Sequence, residues 1–99
     1  MNNKQIADRI KQLRLGLMVN SYIYYKMGQS IISDQAWDAR ARELVKLQGK
    51  YPSIAKKIRF AKVFEDFDAS TGYHLAGAID KKGIAKAYYL LAIAKEKEQ

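Results

Sequence analysis

At 99 residues, with 48% hydrophobic and 28% charged side chains, one proline and six glycines, the chain is composed for one folded domain. A disordered or low-complexity segment is excluded. Eighteen Lys and Arg against ten Asp and Glu leave a net charge of +8, which favours nucleic acid, an anionic nucleotide or an acidic protein surface as partner. The absence of cysteine excludes disulfides, thiolate metal sites and a cysteine nucleophile, and fits a reducing compartment. A single histidine leaves little for a histidine metal site or a Ser–His–Asp triad. No apolar run approaches the about 20 residues of a membrane span, and the polar start Met1-Asn2-Asn3-Lys4-Gln5 is unlike a signal peptide. The expectation is a cytoplasmic chain that is not an enzyme.

From Asn3 to Met27, Ile6, Ile10, Leu13, Leu17 and Tyr24 recur at helical spacing, and Leu15, Met18, Val19 and Tyr22 widen the apolar stripe. This predicts a first helix covered on more than one side, stopped by Gly28. Ser33 reads as the N-cap of a second helix, with Asp34 in the first turn, where the helix dipole favours a negative charge. That helix is expected to run to Gln48, with Trp37, Ala41, Leu44, Val45 and Gln48 along one side and Gly49 as its stop. Pro52 suits the first turn of a third helix carrying Ile54, Ile58, Ala61, Phe64 and Phe67. Asp68 to Gly72 is a loop of turn residues, and Tyr73 to Ile79 is open between a short strand and a helical turn. Asp80 caps a last helix, Lys81 to about Lys95, with Ile84, Tyr88, Leu91 and Ala92 inward. The fold expected is all-α: an antiparallel helical hairpin plus two further helices, a small bundle of four main helices. It reads as one domain over 1–99, a hairpin at 10–52 followed by a helical extension at 53–99.

The stretch Tyr22-Ile23-Tyr24-Tyr25, then Ile32-Ser33-Asp34-Gln35-Ala36-Trp37-Asp38, continued by Arg42-Glu43-Leu44-Val45-Lys46-Leu47-Gln48 and Tyr51-Pro52, resembles the N-terminal helical domain, called Ia, of bacterial NAD-dependent DNA ligases. The likeness covers residues 10–52. In those ligases this pattern holds the nicotinamide mononucleotide half of NAD, so the resemblance implies ligand-binding roles for Tyr24, Tyr25, Asp34, Trp37 and Asp38. Tyr25 falls at a position that varies between Tyr and His in the family. Trp37 stands where the family usually has Tyr, which keeps an aromatic face and removes a hydroxyl, and Ala36 replaces the common Glu. The ligase nucleophile, a lysine in a K-x-D-G context, has no counterpart here, since Asp80-Lys81-Lys82-Gly83 has the wrong order. The resemblance therefore implies binding without ligation. The segment Phe64 to Leu75 looks like one found in small ligase-related phage proteins.

The residues support a site on their own terms. Asp34, Trp37, Asp38 and Ala41 lie at i, i+3, i+4 and i+7, one helix face. Asp38 opens an otherwise apolar stripe, where a carboxylate needs a partner. An antiparallel hairpin brings Tyr24, Tyr25 and Lys26 beside the start of the second helix, so that aromatics, carboxylates and a lysine converge as a pocket for a nucleoside phosphate. Taken singly, Asp34 is equally a dipole-complementing cap residue, Trp37 a core residue and the tyrosines packing residues. Arg40, Arg42, Lys46, Lys50, Lys56, Lys57, Arg59 and Lys62 face only Glu43 in opposition across 40–62, a basic patch that reads as a solvated face, as a weak nucleic-acid surface or as a source of attraction for phosphates to the neighbouring pocket. His74 reads as a structural or loop residue, and Asp68 to Gly72 as a turn or as a Ser70/Thr71 hydroxyl pair on a phosphate.

The function expected is a non-catalytic module that binds an NAD-, nicotinamide-mononucleotide- or ADP-ribose-type ligand, with no cofactor or metal required. A phage-encoded copy in the host cytoplasm would sequester a nucleotide signal of host defence. The alternatives are a protein-binding inhibitor of an anti-defence or anti-CRISPR type, and a small basic nucleic-acid-binding accessory protein.

Overall fold

A computed structural model describes residues 1–97. Five helices follow in order: α1 (Asn3–Met27), α2 (Asp34–Lys50), α3 (Pro52–Ala55), α4 (Tyr73–Ala78) and α5 (Lys81–Lys97), with no strand among the described residues. The all-helical expectation holds.

α1 is the axis of the fold and touches each of the other four helices. Its two apolar sides explain how. Ile6, Ile10, Leu13, Leu17 and Met18 pack with Ala41, Leu44, Phe64, Phe67 and Leu75. On the other side, Val19 and Ile23 pack with Ala87 and Leu91 of α5. The ends of α1 are chemically marked. Asn2 and Gln5 exchange hydrogen bonds in a capping box, and Gly28 at φ 65° closes the helix in the left-handed region that favours glycine. Ser33 caps α2 as expected, its Oγ accepting the Ala36 N–H at 3.0 Å.

Four sequence expectations are corrected. Gly49 does not stop α2, which runs through it to Lys50, because the Tyr51 N–H still reaches the Leu47 carbonyl at 2.8 Å. The third helix lasts only from Pro52 to Ala55. Beyond it the chain turns, with Phe60 at φ 71°, and Arg14 takes up the carbonyls that a longer helix would have kept for itself. Arg14 is 2% exposed and donates to the carbonyls of Ala55, Ile58 and Arg59 and to Gln48 Oε1. Burial pulls its pKa down from the ordinary value, yet a guanidinium with this many partners stays charged. Phe64 and Phe67 still point inward from this turning segment.

The Tyr73–Ala78 stretch resolves as helix, and Asp80 caps α5 by accepting the Gly83 N–H at 2.8 Å. Tyr88 and Ala92 point outward, Tyr88 being 58% exposed, while Gly83, Ala87 and Leu91 are buried, the last two against α1. Gly83 fits against Ile79 just before α5, where a Cβ would meet Ile79 Cγ1 at 2.5 Å. Tyr24 is likewise exposed rather than core, since at that turn of α1 Ile23 takes the inward position against Ala87 and Leu91.

Candidate functional site

Where α2 turns back along α1, the last turns of α1, the 30–33 connection and the start of α2 enclose a cavity of about 350 Å³. Tyr24, Tyr25, Asp34, Trp37 and Asp38 all line it, so every ligand-binding position expected from the sequence meets at one place. Two groups of lining residues were not anticipated as a set. Asn20 and Ser21 form the side toward α1, and Ala69, Ser70, Thr71 and Gly72 form a wall from the loop before α4.

The geometry follows from packing on either side. Trp37 is half-buried, its ring edge-on to Phe67 at 6.3 Å between centroids, so it is a core residue and a cavity residue at once. Tyr24 and Tyr25 stand edge-to-face at 4.9 Å, and Tyr25 stands so against Tyr73 at 5.3 Å. These three tyrosines remain exposed, by 56%, 41% and 67%, which leaves aromatic surface at the cavity mouth. Gly72 is wedged so that a Cβ there would collide with Ser21 Oγ and come within 2.8 Å of Trp37 Cζ2. Asp68 accepts the Ser70 N–H at 2.9 Å and Thr71 Oγ1 accepts the Tyr73 N–H at 3.2 Å. The loop is thus an ordinary turn in its bonding and a wall of the cavity in its position.

Asp38 is not the unpartnered carboxylate the apolar stripe implied. It is half-exposed and pairs with Arg42 one turn on, at 3.0 Å. Lys26 lies outside the cavity lining and is exposed. Among the described residues, the buried side-chain atoms without a hydrogen-bond partner are elsewhere, Asn20 Oδ1 and Ser21 Oγ. A polar side chain on α1 beneath a tyrosine pair was the available sequence signal for them, but only the folded loop buries it.

The basic patch is exposed at all eight positions. Arg42 is engaged by Asp38 and Arg59 by Asp80. Among the described residues, Arg40, Lys46, Lys50, Lys56, Lys57 and Lys62 form no ion pair. Lys56 and Lys62 border a second cavity, about 450 Å³, beside the buried Arg14 and Phe64. His74 is exposed on α4, its ring 6.4 Å from that of Phe67. Among the described residues there is no cluster of His, Cys, Asp or Glu able to hold a metal ion, and no helix is long and apolar enough to cross a membrane.

Fold and cavity together define a small all-helical domain whose first two helices carry an aromatic and carboxylate pocket. Residues 3–57 match the DNA ligase-like, N-terminal NAD+-binding domain, and the chain belongs to that family. The DNA ligase of Petrotoga mobilis is 39% identical over 51 residues, which are 52% of this chain and 8% of that protein. The DNA ligase of Acholeplasma laidlawii is 45% identical over 47 residues, 48% of this chain and 7% of that protein. For Malacoplasma penetrans DNA ligase the figures are 38% over 53 residues, 54% and 8%. The chain therefore spans less than a tenth of the length of these curated relatives. No solved structure matches it.

Proposed function

We propose that this chain is a nucleotide-binding module that holds an NAD-, nicotinamide-mononucleotide- or ADP-ribose-type ligand without transforming it. The observation that carries the reading is the convergence of Tyr24, Tyr25, Asp34, Trp37 and Asp38 on one cavity. The chemistry suits a pyridine nucleotide. An oxidised nicotinamide ring is a cation, attracted by aromatic faces and by carboxylates, and a ribose diol donates to the same carboxylates. Asn20 Oδ1 and Ser21 Oγ are polar atoms whose burial without a partner costs about 1–3 kcal/mol each, a cost a ligand N–H reaching them would relieve.

Binding without chemistry is supported by the residues of this chain. They contain no K-x-D-G lysine on which an adenylate could form. Such a module acts by sequestering or presenting its nucleotide. In a phage-encoded protein, sequestration of a signal of host defence is the form that this takes.

A second reading, a protein-binding inhibitor, is favoured by Tyr88 and Tyr89, 58% and 66% exposed on α5, since exposed tyrosines are frequent anchors of interfaces. Incubation with labelled NAD+ followed by mass analysis separates binding from reaction. Non-covalent retention with an unmodified chain and intact NAD+ is expected, and a covalent adenylate on the chain contradicts it.

A further inference from the structure

We propose that the cavity recognises a single ribonucleoside unit through its ring and sugar, leaves the phosphate in solvent, and is completed for that purpose by the Ala69–Gly72 loop. The inference rests on the nucleotide reading above and narrows the ligand class.

Charge gives the first reason. Among the described residues, those lining the cavity include Asp34 and Asp38 but no lysine, arginine or histidine. Arg42 is engaged by Asp38 at 3.0 Å. A phosphate inside would face the Asp34 carboxylate with no cation in the lining to offset it, and the one cation beside Asp38, Arg42, is already shared with that carboxylate. The start of α2 offers it little, because Ser33 Oγ already takes the Ala36 N–H and Asp34 already complements the dipole. A sugar diol and a neutral or cationic ring meet the opposite situation, with carboxylates as acceptors and aromatic rings as a surface.

Size gives the second. About 350 Å³ lies near the lower end of ligand cavities, which span about 300–1,000 Å³, and suits one nucleoside better than a dinucleotide.

The third is the wall. Its residues lie beyond the 3–57 stretch that matches the family, so the later part of this chain contributes it. Only glycine at position 72 lets the loop lie against both Ser21 and Trp37. Thr71 Oγ1 accepts the Tyr73 N–H at 3.2 Å and lies 3.4 Å from the Tyr25 hydroxyl, and with Tyr25 donating in that contact the Thr71 proton is free for a ligand oxygen. Beneath it Ser21, 2% exposed and without a hydrogen-bond partner, marks polar capacity that the fold leaves unused.

Calorimetric titration of the 99-residue chain with nicotinamide riboside, nicotinamide mononucleotide and NAD+ tests this. The riboside should bind within about threefold of the mononucleotide, and NAD+ no tighter than either. Thr71→Val gives up the turn bond to the Tyr73 N–H and should lower the melting temperature modestly, while the still-folded variant should bind the riboside about tenfold more weakly, as loss of a hydrogen bond does. A mononucleotide tighter than the riboside by more than about threefold overturns the proposal, as does wild-type affinity in Thr71→Val. Either result leaves the nucleotide reading intact, because the mononucleotide still binds. If none of the three binds, both fall.

Discussion

Tyr25 and Thr71, 46 residues apart in the chain, bring their hydroxyl oxygens within 3.4 Å. The first belongs to the stretch that matches the NAD+-binding family and the second lies beyond it. Their contact joins the two parts at the cavity, so the pocket is a product of the whole fold and not of the α1–α2 hairpin alone.

Gly72 is the residue on which that junction is most sensitive. Gly72→Ala would press a methyl group into Ser21 Oγ and the Trp37 ring, so the loop or the indole must move. A destabilisation of about 1–3 kcal/mol is expected, as for overpacking in a filled core. Chemical denaturation gives the energy, and a red-shifted emission of Trp37 reports the opened wall.

Arg14 holds the segment after α3. Arg14→Met keeps an apolar stem but leaves the carbonyls of Ala55, Ile58 and Arg59, and the Gln48 amide oxygen, without their donor. Each buried acceptor left unpaired costs about 1–3 kcal/mol. At about 4–8 °C per kcal/mol for a chain of this size, the melting temperature should fall by well over ten degrees. A loss under about 1 kcal/mol would mean that the carbonyls find other partners.

Glu43 carries an acid-sensitive contribution. Hydrogen bonds from Arg9, at 2.6 and 2.7 Å, hold its carboxyl below the usual carboxylate range. A depressed folded pKa means stability that is present above the unfolded value, about 4.3, and lost as pH falls through the folded value. The pair is a third or more exposed, so solvent screening limits it to about 0.2–1 kcal/mol. Melting curves should place Glu43→Gln below wild type at neutral pH, with the gap closing in acid. A gap that persists well below pH 4 contradicts the assignment.

The exposed basic face should give only weak, non-specific nucleic-acid binding that fades steeply with salt, because released counterions drive it. Fluorescence anisotropy with duplex DNA at two salt concentrations measures this. Tight binding that survives about 0.3 M salt would instead make that face a specific nucleic-acid site.

The long helices were legible because their signals are local. The stripe from Ile6 to Leu17, the left-handed stop at Gly28 and the Ser33 cap are each written within a few residues, and α1 begins and ends where they place it. The third helix was not legible. Ile54, Ile58, Ala61, Phe64 and Phe67 keep a helical period, yet the decisive partner is Arg14, more than forty residues earlier. An arginine between Ile10 and Met18 on the buried face was the visible anomaly. At the cavity, the joint spacing of Tyr24, Tyr25, Asp34, Trp37 and Asp38 brought forward five residues that line it together. The Ser70–Gly72 wall and the unpartnered Ser21 arise only when distant segments pack, and no local pattern carries them.

Asp38 separates ligand binding from folding. Its bond to Arg42 is an exposed i,i+4 pair, about 0.3–0.5 kcal/mol, so Asp38→Asn should leave the melting temperature nearly unchanged. Asp34→Ala should cost about 0.3–1 kcal/mol through the lost charge at the start of α2.

The most direct measurement uses Trp37, the chain's one tryptophan, which lines the cavity. Its emission is titrated with nicotinamide mononucleotide in wild type and in Asp38→Asn. The account predicts saturable quenching in wild type that is lost in Asp38→Asn while the fold remains. At about 100 times its dissociation constant the ligand should also add roughly 2.7 kcal/mol of stability, plain in a melting curve. Unchanged Trp37 emission and an unmoved melting curve at millimolar nucleotide would contradict the nucleotide-binding claim.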